Sequence, residues 1–244
     1  MGAVIAQFKP FNTDTWRQGM NILRRDNLER GGFAGLREHR LVMGPSAFGD
    51  RAAPGTWEGI GNFVYLADAR FLPNGETGMH GHKEVDVISV MVEGRIAHEG
   101  SLEHGQELSG HDVQVQWAGG EGFSHNEVNP DTDENRMIQL WVLPEHPGEP
   151  AGYKRYEAEL GKVARVYGGS ADQDESYPAQ TIIDVALLKQ GQKITVASEA
   201  LAYVTKGEGL ANGQVVRDGD LVRSEGLSFE ATQDVQLITV YLRQ

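Results

Sequence analysis

The chain has 244 residues, with 22 Lys+Arg against 35 Asp+Glu and a formal net charge of −13. That balance argues against direct nucleic-acid binding, because neutralising phosphates needs a basic face and only fragments such as Arg24-Arg25 supply one. The absence of cysteine excludes disulfides, thiol nucleophiles, zinc thiolate sites and iron–sulfur clusters together, so any metal must sit on His and carboxylate.

Hydrophobic residues make up 39% and charged residues 23%, the composition of a globular protein with a core. Apolar stretches such as 85–92 fall far short of the roughly 20 residues that span a bilayer. Residues 1–8 are apolar, but no cationic residue precedes them and no small-residue cleavage pattern follows. The expectation is a cytoplasmic protein that does not enter a membrane.

The 31 glycines and 9 prolines exceed the usual combined share of about 12% and indicate many short strands joined by tight turns. In chain order, period-two or fully apolar runs predict strands at 62–67, 85–92, 113–117, 136–143, 181–187, 201–204 and 235–242. One helix is predicted at 153–160, rich in helix formers and ended by Gly161. Three prolines within 144–152 forbid regular pairing and mark a domain boundary. The organisation expected is an N-terminal extension at 1–19, a first domain at 20–150, a linker at 151–162 and a second domain at 163–244. Similar turns recur on either side of the boundary. Val92-Glu93-Gly94 followed by Gly110-His111-Asp112 is echoed by Thr205-Lys206-Gly207 followed by Asp218-Gly219-Asp220, with an indel or two between the copies. The class expected is all-β, with two related β-barrels.

Seven of the eight histidines lie between His80 and His146, and none follows. His80-Gly81-His82 opens a strand-like run, and His125-Asn126-Glu127 follows a glycine-rich segment. Residues two apart on a strand share a face, so each triplet can present two ligands to one barrel interior. Three neutral imidazoles and one carboxylate suit Fe(II), Mn, Co, Ni, Cu(II) or Zn. Glu84 and Asp86 continue the parity of His80 and His82, and on an uninterrupted strand Asp86 competes with Glu127 as the oxygen ligand; a bulge after His82 removes it. His98, on a strand expected after the Gly94 turn, is read as a satisfied structural residue in preference to a pocket neighbour, His104 and His111 as solvated loop residues, His146 as a linker residue and His39 as a surface residue. Trp57, Trp117 and Trp141 are candidates either to line a pocket for a planar ligand or to fill the core. The sequence carries no G-x-S-x-G elbow and no phosphate-cradling P-loop, and Lys206-Gly207-Glu208-Gly209 reads as a hairpin rather than an anion site.

The run from Met79 to Pro144 resembles the pirin family of the cupin superfamily. The resemblance rests on His80-Gly81-His82-Lys83, Val92-Glu93-Gly94, Glu99-Gly100-Ser101, Gly110-His111-Asp112-Val113-Gln114, Gly122-Phe123-Ser124-His125-Asn126-Glu127 and Gln139-Leu140-Trp141-Val142-Leu143-Pro144. Upstream, Leu23-Arg24-Arg25 with Glu29-Arg30-Gly31 is similar to a pirin start, and the second half is similar to the family's degenerate C-terminal cupin. The resemblance implies two tandem cupin (jelly-roll) barrels. It also implies one mononuclear metal, usually iron, held by His80, His82, His125 and Glu127 in the first barrel. Gly81 and Asn126 depart from the Pro and Ser common in the family; neither change removes a ligand, and both alter the pocket mouth.

The activity implied is that of a quercetin 2,3-dioxygenase: a small planar phenolic substrate, a flavonol, is opened by O2 with loss of carbon monoxide, and Glu127 takes the proton of the 3-hydroxyl. Two further readings stand beside it. One is a non-enzymatic metal-binding regulator acting through a protein partner. The other is a metal-free cupin that binds a sugar or small acid.

Overall fold

The computed structural model describes residues 19–244, and its strands account for every strand expected from the sequence. The extension at 1–19 lies, apart from Gly19, outside the described residues. In chain order the strands are β1 (Asn21–Arg24), β2 (Arg30–Phe33), β3 (Leu36–Met43), β4 (Phe63–Phe71), β5 (His80–His82), β6 (Asp86–Glu93), β7 (Arg95–Gly100), β8 (Gln106–Ser109), β9 (Asp112–Trp117), β10 (Phe123–Val128), β11 (Arg136–Val142) and β12 (Gly152–Glu157). They continue with β13 (Lys162–Gly169), β14 (Ala179–Leu188), β15 (Lys193–Lys206), β16 (Glu208–Ala211), β17 (Gln214–Arg217), β18 (Asp220–Ala231) and β19 (Val235–Leu242). A short helix, α1 (Pro45–Phe48), follows β3. Among the described residues no helix is long and apolar enough to cross a membrane.

The strands form three antiparallel sheets. A seven-stranded sheet in the order β12-β9-β6-β11-β4-β3-β2 and a four-stranded sheet in the order β5-β10-β7-β8 make the first barrel. An eight-stranded sheet, β13-β14-β19-β15-β18-β16-β17 with β1 added against β18, makes the second. The architecture is all-β, two tandem cupin barrels. The repeated turns fall in equivalent places. Gly94 and Gly207 take positive φ (71° and 90°) where β6 turns into β7 and β15 into β16, a conformation that favours glycine. Asp112 Oδ2 accepts from the Ser109 amide (2.8 Å) as Asp220 Oδ2 accepts from the Arg217 amide (3.0 Å), so the same side chain closes the corresponding hairpin in each barrel.

The helix expected at 153–160 is absent. The segment is instead the edge strand β12, paired with β9 from Gly152↔Trp117 to Glu157↔Asp112. Helix propensity is a weak prior, and the open edge of β9 offers a ladder of backbone hydrogen bonds that a lone helical turn does not. The stretch read as a linker therefore contributes a strand to the first barrel, while β1 joins the sheet of the second.

The seven-stranded sheet is buried on both faces at its centre, which is why β4 and β6 read as nearly continuous apolar runs. Leu41, Leu66, Ile88, Val90, Val113, Ile138 and Leu140 on one face share a single core with Ile183, Val185, Leu201, Tyr203, Ile238 and Val240 of the second barrel. The other face lines the first barrel with Leu36, Ala69, Phe71, Met91 and Met137. The interior of the second barrel is apolar, filled by residues such as Leu188, Ala202, Val204, Val222, Phe229 and Leu237.

A buried ionic network crosses the barrel interface. Arg136, 1% exposed, donates through Nε to Asp68 Oδ1 (2.9 Å) and through Nη1 to Asp218 Oδ2 (2.8 Å). Arg25 donates to the same two carboxylates, and the Tyr203 hydroxyl donates to Asp68. Burial alone would raise the Asp68 pKa, but its bonds to Arg136 overcome that and hold it below the ordinary value. Asp86 makes a second bridge between the barrels, accepting from the Ala118 amide (2.9 Å) and the Tyr167 hydroxyl (2.7 Å). Here burial dominates and pushes the pKa from 3.8 up to about 6.

Removing one partner of a buried ion pair leaves a desolvated charge, so Arg136→Leu should lower the unfolding free energy by about 3–5 kcal/mol in urea titrations. Asp86 gives a pH signature. Its raised folded pKa means that the stability it contributes is full below the unfolded pKa and is lost as pH rises through about 6. Between pH 5 and pH 8 wild type should lose about 1.4 kcal/mol relative to Asp86→Asn, read from paired denaturation curves.

Candidate metal centre

β5 and β10 pair antiparallel with His80 opposite His125 and His82 opposite Phe123. Residues 80, 82, 123 and 125 therefore share one face, directed into the first barrel. The His125 Nε2 atom lies 3.1 Å from His80 Nε2 and 3.2 Å from His82 Nε2. The ligand nitrogens of the three imidazoles all lie within 4.8 Å of one another. The sequence-predicted residues His80, His82 and His125 are thus brought together.

Burial keeps the His82 and His125 rings neutral. Burial, followed by the neighbouring His80, lowers the His82 pKa to about 4. Burial, followed by His82, His80 and His98, lowers that of His125 to about 2. His80 Nδ1 lies 2.9 Å from the Gly78 carbonyl oxygen, a contact that places the proton on Nδ1 and leaves Nε2 as a lone pair. His125 Nε2 faces the other two Nε2 atoms at 3.1 and 3.2 Å, and nitrogens about 2.1 Å from one cation at near right angles are separated by about 3.0 Å. The donor set fits a divalent transition metal.

Glu127 lies two residues beyond His125 on β10, fully buried, and its carboxylate stands outside the group of three nitrogens. Ser89 Oγ donates to Oε1 (3.0 Å), Gln114 Nε2 donates to Oε1 (3.4 Å) and Gln139 Nε2 donates to Oε2 (3.3 Å). Burial, only partly offset by the Ser89 bond, raises its pKa to about 7. Ser89, Gln114 and Gln139 were missed from sequence. Their signal is one polar residue on the inward face of each of three adjacent strands: Gln114, Ser89 and Gln139 lie side by side on β9, β6 and β11, with Gln139 opposite Ser89 and Ser89 opposite Gln114.

Asp86 does not reach the site. β5 ends at His82, and Glu84 takes a positive φ of 54° before β6 begins, so the parity linking His82 to Asp86 is broken and Asp86 faces the barrel interface. His98, opposite Glu127 on β7, is fully buried with Nε2 3.1 Å from Gln116 Nε2, the structural residue expected. His39 is half-buried opposite Asp68 rather than on the surface, and His146 lines a small cleft with Trp117. Of the three tryptophans only Trp141 reaches the histidines, its ring 5.6 Å from that of His82. Trp57 faces a separate cleft between the barrels.

A cleft of about 510 Å³ opens onto His80 and His82. Trp141, Tyr65 and Phe48 form an aromatic wall, with centroids 4.4 Å apart for Tyr65 and Trp141 and 5.9 Å for Phe48 and Trp141. Gln139 ties that wall to the carboxylate: the Trp141 indole donates to Gln139 Oε1 (3.3 Å) while Gln139 Nε2 donates to Glu127.

The sequence pattern of the Pirin family matches residues 45–142. A Pseudomonas aeruginosa protein, provisionally named a quercetin 2,3-dioxygenase, is 31% identical over 174 residues, 66% of this chain and 75% of that protein. The chain belongs to the pirin family. Among other pirin relatives, the quercetin 2,3-dioxygenase of Escherichia coli K12 is 26% identical over 66% of this chain and 74% of its own length. The crystal structure of the Escherichia coli pirin YhhW in complex with nickel(II) has the same fold, with a TM-score of 0.78 and 17% identity over 92% of this chain and 99% of YhhW.

Within this pirin, Gly100 on β7 faces His125, and a Cβ there would run into the Ser124 carbonyl oxygen and come 3.1 Å from the His125 Cβ. Gly100→Ala should push β10 away from β7 and weaken nickel binding by roughly 10-fold or more in calorimetric titration, a displacement of ligand geometry without loss of a ligand.

Proposed function

We propose that this pirin is a metal-dependent dioxygenase that opens the heterocyclic ring of a flavonol with O2. The observation that carries this reading is the convergence of three imidazole nitrogens within 4.8 Å of one another, two of their rings lining an aromatic cleft, with a buried carboxylate of raised pKa two residues along the strand of His125. The names of the Escherichia coli and Pseudomonas aeruginosa relatives support it. His80, His82 and His125 would hold the metal, iron being the expected ion with Mn, Co, Ni, Cu and Zn as the other candidates, and Glu127, which stands outside the three nitrogens on the strand of His125, would add the oxygen donor. When bound, the ion supplies Lewis acidity and a template for the substrate oxygens.

The remaining chemistry belongs to the chain. Trp141, Tyr65 and Phe48 offer flat apolar surface to planar rings and exclude water from one side of them. Glu127 takes the proton of the flavonol 3-hydroxyl at its carboxylate, and a base with a pKa near 7 is matched to that task at neutral pH. Ser89, Gln114 and Gln139 fix the carboxylate while it is charged. Both atoms of O2 enter the ring-opened ester, one ring carbon departs as carbon monoxide, and the proton held by Glu127 returns to the product. The overall change needs no external reductant.

Protein reconstituted with Fe(II) or Ni(II) should consume quercetin in air with loss of the flavonol absorbance and release of carbon monoxide. Glu127→Gln should reduce kcat by about 10²–10⁴-fold. Absence of turnover with every metal of the series, in protein whose metal content is verified, refutes the reading.

A further inference from the structure

A second polar group, on β3 and β4, lines the same cleft as His80 and His82. Glu38 and Arg40 on β3 and Tyr65 on β4 all line it. Glu38 is 3% exposed, an uncommon position for a carboxylate on a cleft wall. Its Oε1 accepts from Arg40 Nε (2.7 Å) and lies 2.6 Å from Arg40 Nη2, and its Oε2 accepts from the Tyr65 hydroxyl (2.9 Å). A carboxylate offers about four acceptor positions, so Oε2 retains room for one further donor. Burying such a pair costs desolvation energy that its mutual attraction does not reliably return. Neither the metal site nor the Glu127 network uses it.

We infer that Glu38, Arg40 and Tyr65 form the specificity end of the cleft, where a substrate hydroxyl remote from the metal donates to Glu38. The substrate class is thereby narrowed to planar aromatics carrying a phenolic hydroxyl at the end away from the metal-binding oxygens. This inference rests on the flavonol reading of the same cleft. Glu38 supplies a lone pair that welcomes an O–H donor and repels a carboxylate. Arg40 and Tyr65 hold that lone pair in place, with Tyr65 also standing in the aromatic wall. A site built to bind a hydroxyl discriminates strongly against the analogue that lacks it, because the buried acceptor is then left without its partner.

Two flavonols test this. Quercetin carries hydroxyls on both outer rings, and 3-hydroxyflavone retains only the 3-hydroxyl and the adjacent carbonyl. Binding to nickel-loaded protein is read without O2 by quenching of tryptophan emission, and kcat/KM is read separately in air. Wild type should prefer quercetin by roughly 10-fold or more in Kd. Glu38→Gln and, independently, Tyr65→Phe should shrink that ratio several-fold, with nickel stoichiometry unchanged. Equal affinities in wild type, or a preference intact in both folded variants, overturns the assignment. A wild-type preference that is lost in the variants, in protein that never turns quercetin over, upholds this end of the cleft and refutes the ring-opening reading alone.

Discussion

The structure depends on one sheet that is wet by solvent on neither face at its centre. The seven strands from β12 to β2 press Leu66, Ile88, Ile138 and Leu140 against the second barrel and turn Ser89, Gln114 and Gln139 toward Glu127. Hydrophobic association of the two barrels thus fixes the backbone from which the polar row projects. A row of buried amides and a hydroxyl is tolerable only if each finds a partner, and a carboxylate with several acceptor positions is the group that satisfies them together. The first barrel is accordingly a rigid housing for one acidic group, and the imidazoles sit on the smaller sheet that closes over it.

The second barrel has a different interior. Its cavity is filled with Ala, Val, Leu and Phe, and no histidine occurs after His146. Its contribution lies on its outer surface. Tyr203, Tyr167 and Asp218 reach across to Asp68, Asp86 and Arg136, so the polar contacts at the interface join side chains from both barrels. Buried ionic contacts of this kind add little net energy relative to apolar packing, but they penalise any other register between the two sheets.

Much of this was legible in the chain. The long apolar strands were, because burial on both faces leaves no polar alternation to interpret. The His-x-His and His-x-Glu triplets were, because a strand's period of two puts such pairs on one face. The turn glycines Gly94 and Gly207 revealed the repeat through the backbone conformation they adopt. The strand at 152–157 was not legible, since its residues favour a helix and only the open edge of β9 decides otherwise. Nor was the fate of Asp86, which turns on the positive φ of Glu84, a local break invisible in residue types. Glu38 and Arg40 escaped notice for another reason: alternating charges on a strand normally signal a solvated face, and here the face borders a cleft.

The pairing of β1 with β18 carries a kinetic consequence. Asn21–Arg24 leaves the ribosome long before Asp220–Ala231, so it waits without its partner while β2 to β17 are synthesised. Contacts so distant in sequence form late and slowly. Until then an unpaired strand edge is open to other chains, and the nascent protein must be shielded through that interval. The closure of β1 on β18 also brings Arg25 to Asp68 and Asp218, so the joint between barrels becomes complete only after β18 has been synthesised.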